Sequence, residues 1–196
     1  MLKTDLQRGF NIIEVLISLT VLGVLMALGA PAFSEWLQNQ QVRAAAEAIL
    51  NGMQVARSEA IGRNLAVQLV LMPDLTGWTV CEATVAPCDL TTAPNLVIQS
   101  RAHEEGTSSA RIVTTPGGPP PAVAVTFSPL GSRVPNFDAS PILERVDINN
   151  LPAGACQADG GPMRCLAVVV SGGGSIRMCD PTPGIPATDP RFCPIP

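Results

Sequence analysis

Three sets of residues in this chain could do chemistry: a single carboxylate, Glu14, set in an apolar run; six cysteines; and one histidine, His103. From Phe10 to Phe33, Glu14 is the sole ionisable residue. A carboxylate at bilayer depth costs on the order of 3 kcal/mol unless it is paired, which makes it a functional candidate by default. An ammonium in the same low-dielectric setting would remove that cost, because each charge offsets the other's desolvation. The cysteines, Cys81, Cys88, Cys156, Cys165, Cys179 and Cys193, all lie beyond the run. An even number in an exported domain reads as a disulfide framework, and six cysteines allow about 15 pairings. Nearest-neighbour pairing is expected: Cys81 with Cys88, Cys156 with Cys165, and Cys179 with Cys193, because each pair brackets a turn or tail. No two cysteines have the close spacing of zinc ligands, so neither metal nor cofactor is expected.

Enzyme chemistry finds little support. A Ser-His-Asp or Cys-His site could use only His103, and Glu104, Glu105 and Gly106 follow it as a polar loop. A surface histidine is expected there. Gly172-Gly173-Gly174 is not followed by a helical pattern and reads as a turn rather than a phosphate loop. Arg57 and Glu59 are expected to form local salt bridges, not a catalytic pair. Net charge is -4, which is not the basic footprint of a general nucleic-acid binder.

The element that must position Glu14 is a helix. The apolar run is long enough to span a bilayer, which takes about 20 residues. Lys3 and Arg8 precede it and bias the N-terminus to the cytoplasm. Helix is expected from Phe10 to about Gly62, extending about 80 Å. Its first half is apolar all round. In its second half Val42, Ala45, Ile49, Met53, Ala56 and Ala60 recur at helical spacing on one face. Gly62 and Asn64 mark the end, since both tolerate the left-handed conformation.

Short β-branched runs follow and read as strands: 66–71, 78–81, 96–101, 110–114, 123–127, 145–148, 165–170 and 175–178. The 17 glycines and 19 prolines exceed the average of about 12% combined and gather after residue 115. Pro116 to Pro121 reads as a surface loop and Asp180 to Pro196 as a Pro-rich tail. The fold class is α+β: a long N-terminal helix packed on an antiparallel β-sheet domain. The divisions are a leader at 1–9, a membrane or filament-core helix at 10–33, an amphipathic helix at 34–64, and a disulfide-containing β-rich domain at 65–196.

Gly9-Phe10-Asn11-Ile12-Ile13-Glu14-Val15 resembles the leader junction of type IV pilins and type II secretion pseudopilins. The resemblance implies the pilin fold, cleavage by prepilin peptidase between Gly9 and Phe10, and N-methylation of Phe10. It implies that Glu14 meets the N-terminal amine of a neighbouring subunit, and that Pro31 bends or loosens the helix. Two plainer readings compete: a secretory signal cut near Ala30-Pro31-Ala32, and a simple membrane anchor. The length of the run, Glu14 within it and Gly-Phe at its start weigh against them.

The run Ala56-Arg57-Ser58-Glu59-Ala60-Ile61-Gly62-Arg63-Asn64 with Ala66-Val67-Gln68-Leu69 is similar to the GspH/FimT branch of that family. Gly77-Trp78-Thr79-Val80, Leu166 to Ser171 and Gly174-Ser175-Ile176-Arg177 resemble its later strands. The branch implies a low-abundance subunit that primes or caps a filament. Its implied partners are other major and minor pilins, prepilin peptidase, the inner-membrane assembly platform and the inner membrane. The implied location is single-pass in that membrane, with the C-terminal domain periplasmic, and then in the filament. Some FimT-like pilins bind DNA through a C-terminal Gly-Arg-x-Arg motif. Here Ser175 stands at the first Arg and Arg177 at the second. Arg133, Arg164, Arg177 and Arg191 could form a phosphate-binding patch, but on this acidic chain they read as solvated surface arginines.

Overall fold

The computed structural model describes residues 11–73, 75–84, 88, 96–117 and 119–193. They divide into two compact units at Leu37 and Gln38, inside a single helix, α1, Ile12–Arg63. The second unit holds nine strands. They are β1 Val67–Leu71, β2 Trp78–Glu82, β3 Val97–Arg101, β4 Arg111–Thr115, β5 Ala124–Phe127, β6 Arg133–Val134, β7 Arg145–Asn149, β8 Leu166–Val170 and β9 Ile176–Cys179. Two antiparallel sheets result, ordered β3-β2-β1-β5-β6 and β4-β7-β8-β9. Eight strands fall where the β-branched runs place them. β6 is new: two residues between Ser132 and Pro135 are too short to show a period.

The amphipathic half of α1 supplies one wall of the core. Val42, Ala45, Ile49, Met53, Ala56 and Ala60 are all fully buried. They cluster with Val67, Leu69 and Leu71 of β1, Trp78 and Val80 of β2, and Val146, Ile148, Val168 and Val170 of the second sheet. Gly52 lets the helix approach closely, since a Cβ there would stand 2.8 Å from the Trp78 ring. The helix then stops in a left-handed cap. Asn64 has φ 54°, the Leu65 amide donates to the Ala60 carbonyl at 3.3 Å, and the Asn64 amide donates to that of Ile61 at 3.4 Å. This is the Schellman pattern.

Two turns lock the sheets together. Between β5 and β6, Gly131 (φ 75°) accepts a 3.0 Å hydrogen bond on its carbonyl from Arg57 Nε. Between β8 and β9, Gly174 (φ 78°) packs so closely that a Cβ would lie 1.8 Å from that same Gly131 oxygen. The Arg133 amide donates to Gly172 at 3.0 Å. The triple glycine is thus a hairpin turn seated on the neighbouring sheet.

The outer faces are covered from within the second unit. Over the first sheet lies Asn136, which accepts from Thr126 Oγ1 at 2.9 Å and donates toward the Ala124 and Pro141 carbonyls. Over the second sheet the tail returns to β9, with the Asp180 amide donating to Arg191 at 2.8 Å. Cys193 joins Ala167 and Cys179 in a small apolar cluster. The disulfides are Cys81–Cys88, Cys156–Cys165 and Cys179–Cys193.

His103 corrects the surface expectation. It is buried, with Nδ1 2.9 Å from Thr76 Oγ1 and Nε2 3.1 Å from the Ser108 carbonyl oxygen. Thr76 and Thr107, both fully buried, bond each other beside it at 2.8 Å. Its cover comes from Thr76, distant in sequence, so the polar residues that follow His103 misled. The salt-bridge expectation is corrected in part: Glu59 pairs with Arg63 at 2.6 Å, while Arg57 goes to the Gly131 carbonyl.

Candidate assembly site

The first unit places its chemistry on one helical surface. Gly9 and Phe10, the expected cleavage and methylation residues, lie outside the described residues. Asn11 begins the described chain and caps the helix. Its carbonyl accepts from the amides of Glu14 (3.0 Å) and Val15 (3.2 Å), and its Oδ1 faces the Ile13 amide at 3.4 Å. An asparagine at the cap satisfies donors that a helix start leaves open. Glu14 then falls in the first turn, where the helix dipole favours a negative charge. The sequence reading started the helix at Phe10 and missed this cap, which the Asn-x-x-Glu spacing from Asn11 to Glu14 could have signalled.

Beyond Glu14 the surface is apolar and bare. Ile17, Val21, Val24, Leu25 and Leu28 are all exposed. The two hydroxyls of this stretch turn back on the helix: Ser18 Oγ donates to the Glu14 carbonyl and Thr20 Oγ1 to that of Ile17, each at 2.8 Å. Their polarity is thereby satisfied without water, as an apolar surrounding requires. The helix continues through position 31. It is long and apolar enough to cross a membrane. Phe33 and Trp36 stack at the far end, ring centroids 5.8 Å apart.

The four arginines considered for a phosphate patch are not equivalent. Arg133 is paired with Glu144 at 3.0 Å, and Arg191 with Asp189 at 2.9 Å. Arg177 and Arg164 are exposed. Arg177 stands opposite Val169 in the β8–β9 register, five residues along from Arg164, or about 16 Å at strand rise. The Arg164 amide is tied to Asn39 Oδ1 at 2.8 Å.

A profile of the family described as Type II transport protein GspH matches residues 45–174. The chain belongs to the GspH family. The match runs from within α1 to the β8–β9 turn, and so covers most of the packed core described above. Among solved structures, the type IV minor pilin FimU of Pseudomonas aeruginosa strain PAO1 is similar, with a TM-score of 0.52 and 20% identity. That likeness covers 78% of this chain and 97% of FimU, and it shows the pilin fold. The solution structure of E. coli GspH is also similar, with a TM-score of 0.43 and 14% identity over 76% of this chain and 94% of that one. No curated protein sequence matches the chain. The GspH match begins at Ala45 and leaves Glu14 to be judged on its own surroundings.

Proposed function

We propose that this GspH-family protein is a minor pilin of a type IV pilus. It inserts through its N-terminal helix, is cut between Gly9 and Phe10, is methylated at Phe10, and primes or caps the filament. One observation carries the reading: the exposed apolar surface from Ile12 to Phe33 bears a single carboxylate, at Glu14. Bare apolar area of this extent marks an interaction site. A lone acid within it calls for a cation, and a freshly cut N-terminal amine on a neighbouring subunit supplies one. Pairing them would fix axial register between helices, because a one-turn slip would separate the charges by about 5.4 Å. The Glu14→Ala variant should keep its disulfide-bonded domain folded and lose incorporation into filaments. Sheared pili carrying the variant at the native level would refute the register role. Mass spectrometry of the mature chain should find Phe10 first and methylated, and an intact leader in cells with active prepilin peptidase would refute the processing.

A second reading has its own support. The matching family is described as type II transport protein, which favours a minor pseudopilin of type II secretion on the same fold. Deletion separates the two: loss of twitching or DNA uptake supports the pilus, and loss of protein export supports secretion. A receptor for DNA is the third reading, through Arg177 and Arg164. It would require Arg177→Ala to weaken a low-salt gel shift.

A further inference from the structure

Phe33 and Trp36 form a surface that the core does not use. They are 61% and 54% exposed, they sit three residues apart on one side of the helix, and they stack at 5.8 Å. Two large rings left in water together lose apolar burial that a medium of intermediate polarity would restore. Their position names that medium. The run from Ile12 to Phe33 extends roughly 33 Å, against roughly 30 Å for a bilayer's hydrocarbon core. Phe33 therefore falls at the outer boundary of that core, and Trp36 about 4.5 Å beyond it, among the headgroups. The chain turns polar at this level: Ser34 and Glu35 lie between the rings, and Gln38, Asn39, Gln40 and Gln41 follow after Leu37. Tryptophan suits such a boundary because its ring is apolar while its indole N–H can bond water or lipid oxygens.

We propose that the stacked Phe33–Trp36 pair anchors the helix to the phospholipid headgroup layer on the periplasmic side and sets the depth at which the unassembled subunit waits. Glu14 is at the opposite end of the same run, so the anchor also sets how far that carboxylate lies from the cytoplasmic surface. The inference rests on the reading of Ile12–Phe33 as a membrane span. It assigns a partner, the lipid interface, to Trp36, which that reading leaves without a role, and a more specific one to Phe33.

Depth-dependent fluorescence quenching tests it on the full chain in vesicles of phosphatidylethanolamine and phosphatidylglycerol. The quenchers are lipids brominated near the top, the middle or the end of the acyl chain. Trp78, buried in the core, gives a constant background, and Trp36→Phe isolates the signal of Trp36. The expected result is strongest quenching by bromine near the top of the chain and weakest by bromine at its end. A carbonate-resistant chain whose Trp36 is quenched best by the deepest bromine, or by none, overturns the anchor while leaving the span intact. A chain that carbonate strips from the vesicles overturns the span and the anchor together.

Discussion

Helix α1 contains two stretches that share a backbone and differ in fate. From Val42 to Ala60 its apolar face is fully buried against two sheets of the same chain. From Ile12 to Ala30, and again at Ala32 and Phe33, its apolar side chains are exposed. The first stretch is amphipathic, with Arg43, Glu47 and Gln54 turned to solvent, and needs cover on one side only. The second is apolar all round and needs cover on every side. Hydrophobicity alone therefore does not place a segment. Its angular distribution says whether the chain's own fold can supply the cover.

A matched pair of substitutions would break this comparison if it is wrong. Ile49→Ala empties a fully buried site between helix and sheets and should cost about 4 kcal/mol of domain stability. Leu25→Ala removes similar apolar bulk from an exposed site and should stay within about 0.5 kcal/mol. Denaturant unfolding of the detergent-purified chain, read by the near-ultraviolet signal of the buried Trp78, measures both. Equal losses would mean that Leu25, too, is covered by packing within the chain. In filament assembly the order should reverse, with Leu25→Ala the more damaging change per unit of stability lost.

What could be read beforehand follows the same division. The buried helix face was legible because its six residues keep one period, and eight strands were legible because β-branched runs are bounded by Gly and Pro. Features made by contacts distant in sequence were not. Burial of His103 depends on Thr76, cover for the first sheet on Asn136 reaching Thr126, and the close seat of Gly174 on the carbonyl of Gly131. None of these leaves a local pattern. Glu14 stood out in the sequence because a charge in an apolar run is anomalous, whereas Phe33 and Trp36 passed as ordinary apolar residues until their stacking and exposure were seen together.

Between the fully covered and the bare apolar surfaces lies an intermediate case, the outer face of the second sheet. Ala167 and Val169 of β8 are covered there by the returning tail, held by Cys179–Cys193. Closing a loop of this size is worth about 3 kcal/mol in the chain-entropy picture. Replacing both cysteines by serine should therefore lower stability by about that amount, a little less than Ile49→Ala. It should also speed amide exchange at Asp180, whose N–H bonds the Arg191 carbonyl in the tail. Stability unchanged by the double substitution would show that the tail's apolar contacts hold it without the bond.

The tail has a second, ionic clasp, and its effect should be the smallest. The Arg191 side chain, helped by the Arg191 amide, holds the Asp189 carboxyl below its ordinary value of 3.8. The folded state thus binds that proton more weakly than the unfolded one. The stabilisation is complete above the ordinary value and disappears as pH falls through the lowered one. Arg191 is exposed and Asp189 half-buried at the surface, where water and salt screen the pair, so the contribution is slight. Comparing thermal unfolding of the native chain with Asp189→Asn should show a small gap at neutral pH that closes in strong acid. A gap that persists in acid would mean that Asp189 acts through its turn geometry rather than its charge. In that case the tail's cover would depend on backbone shape and the disulfide alone, as the helix-covered face depends on packing alone.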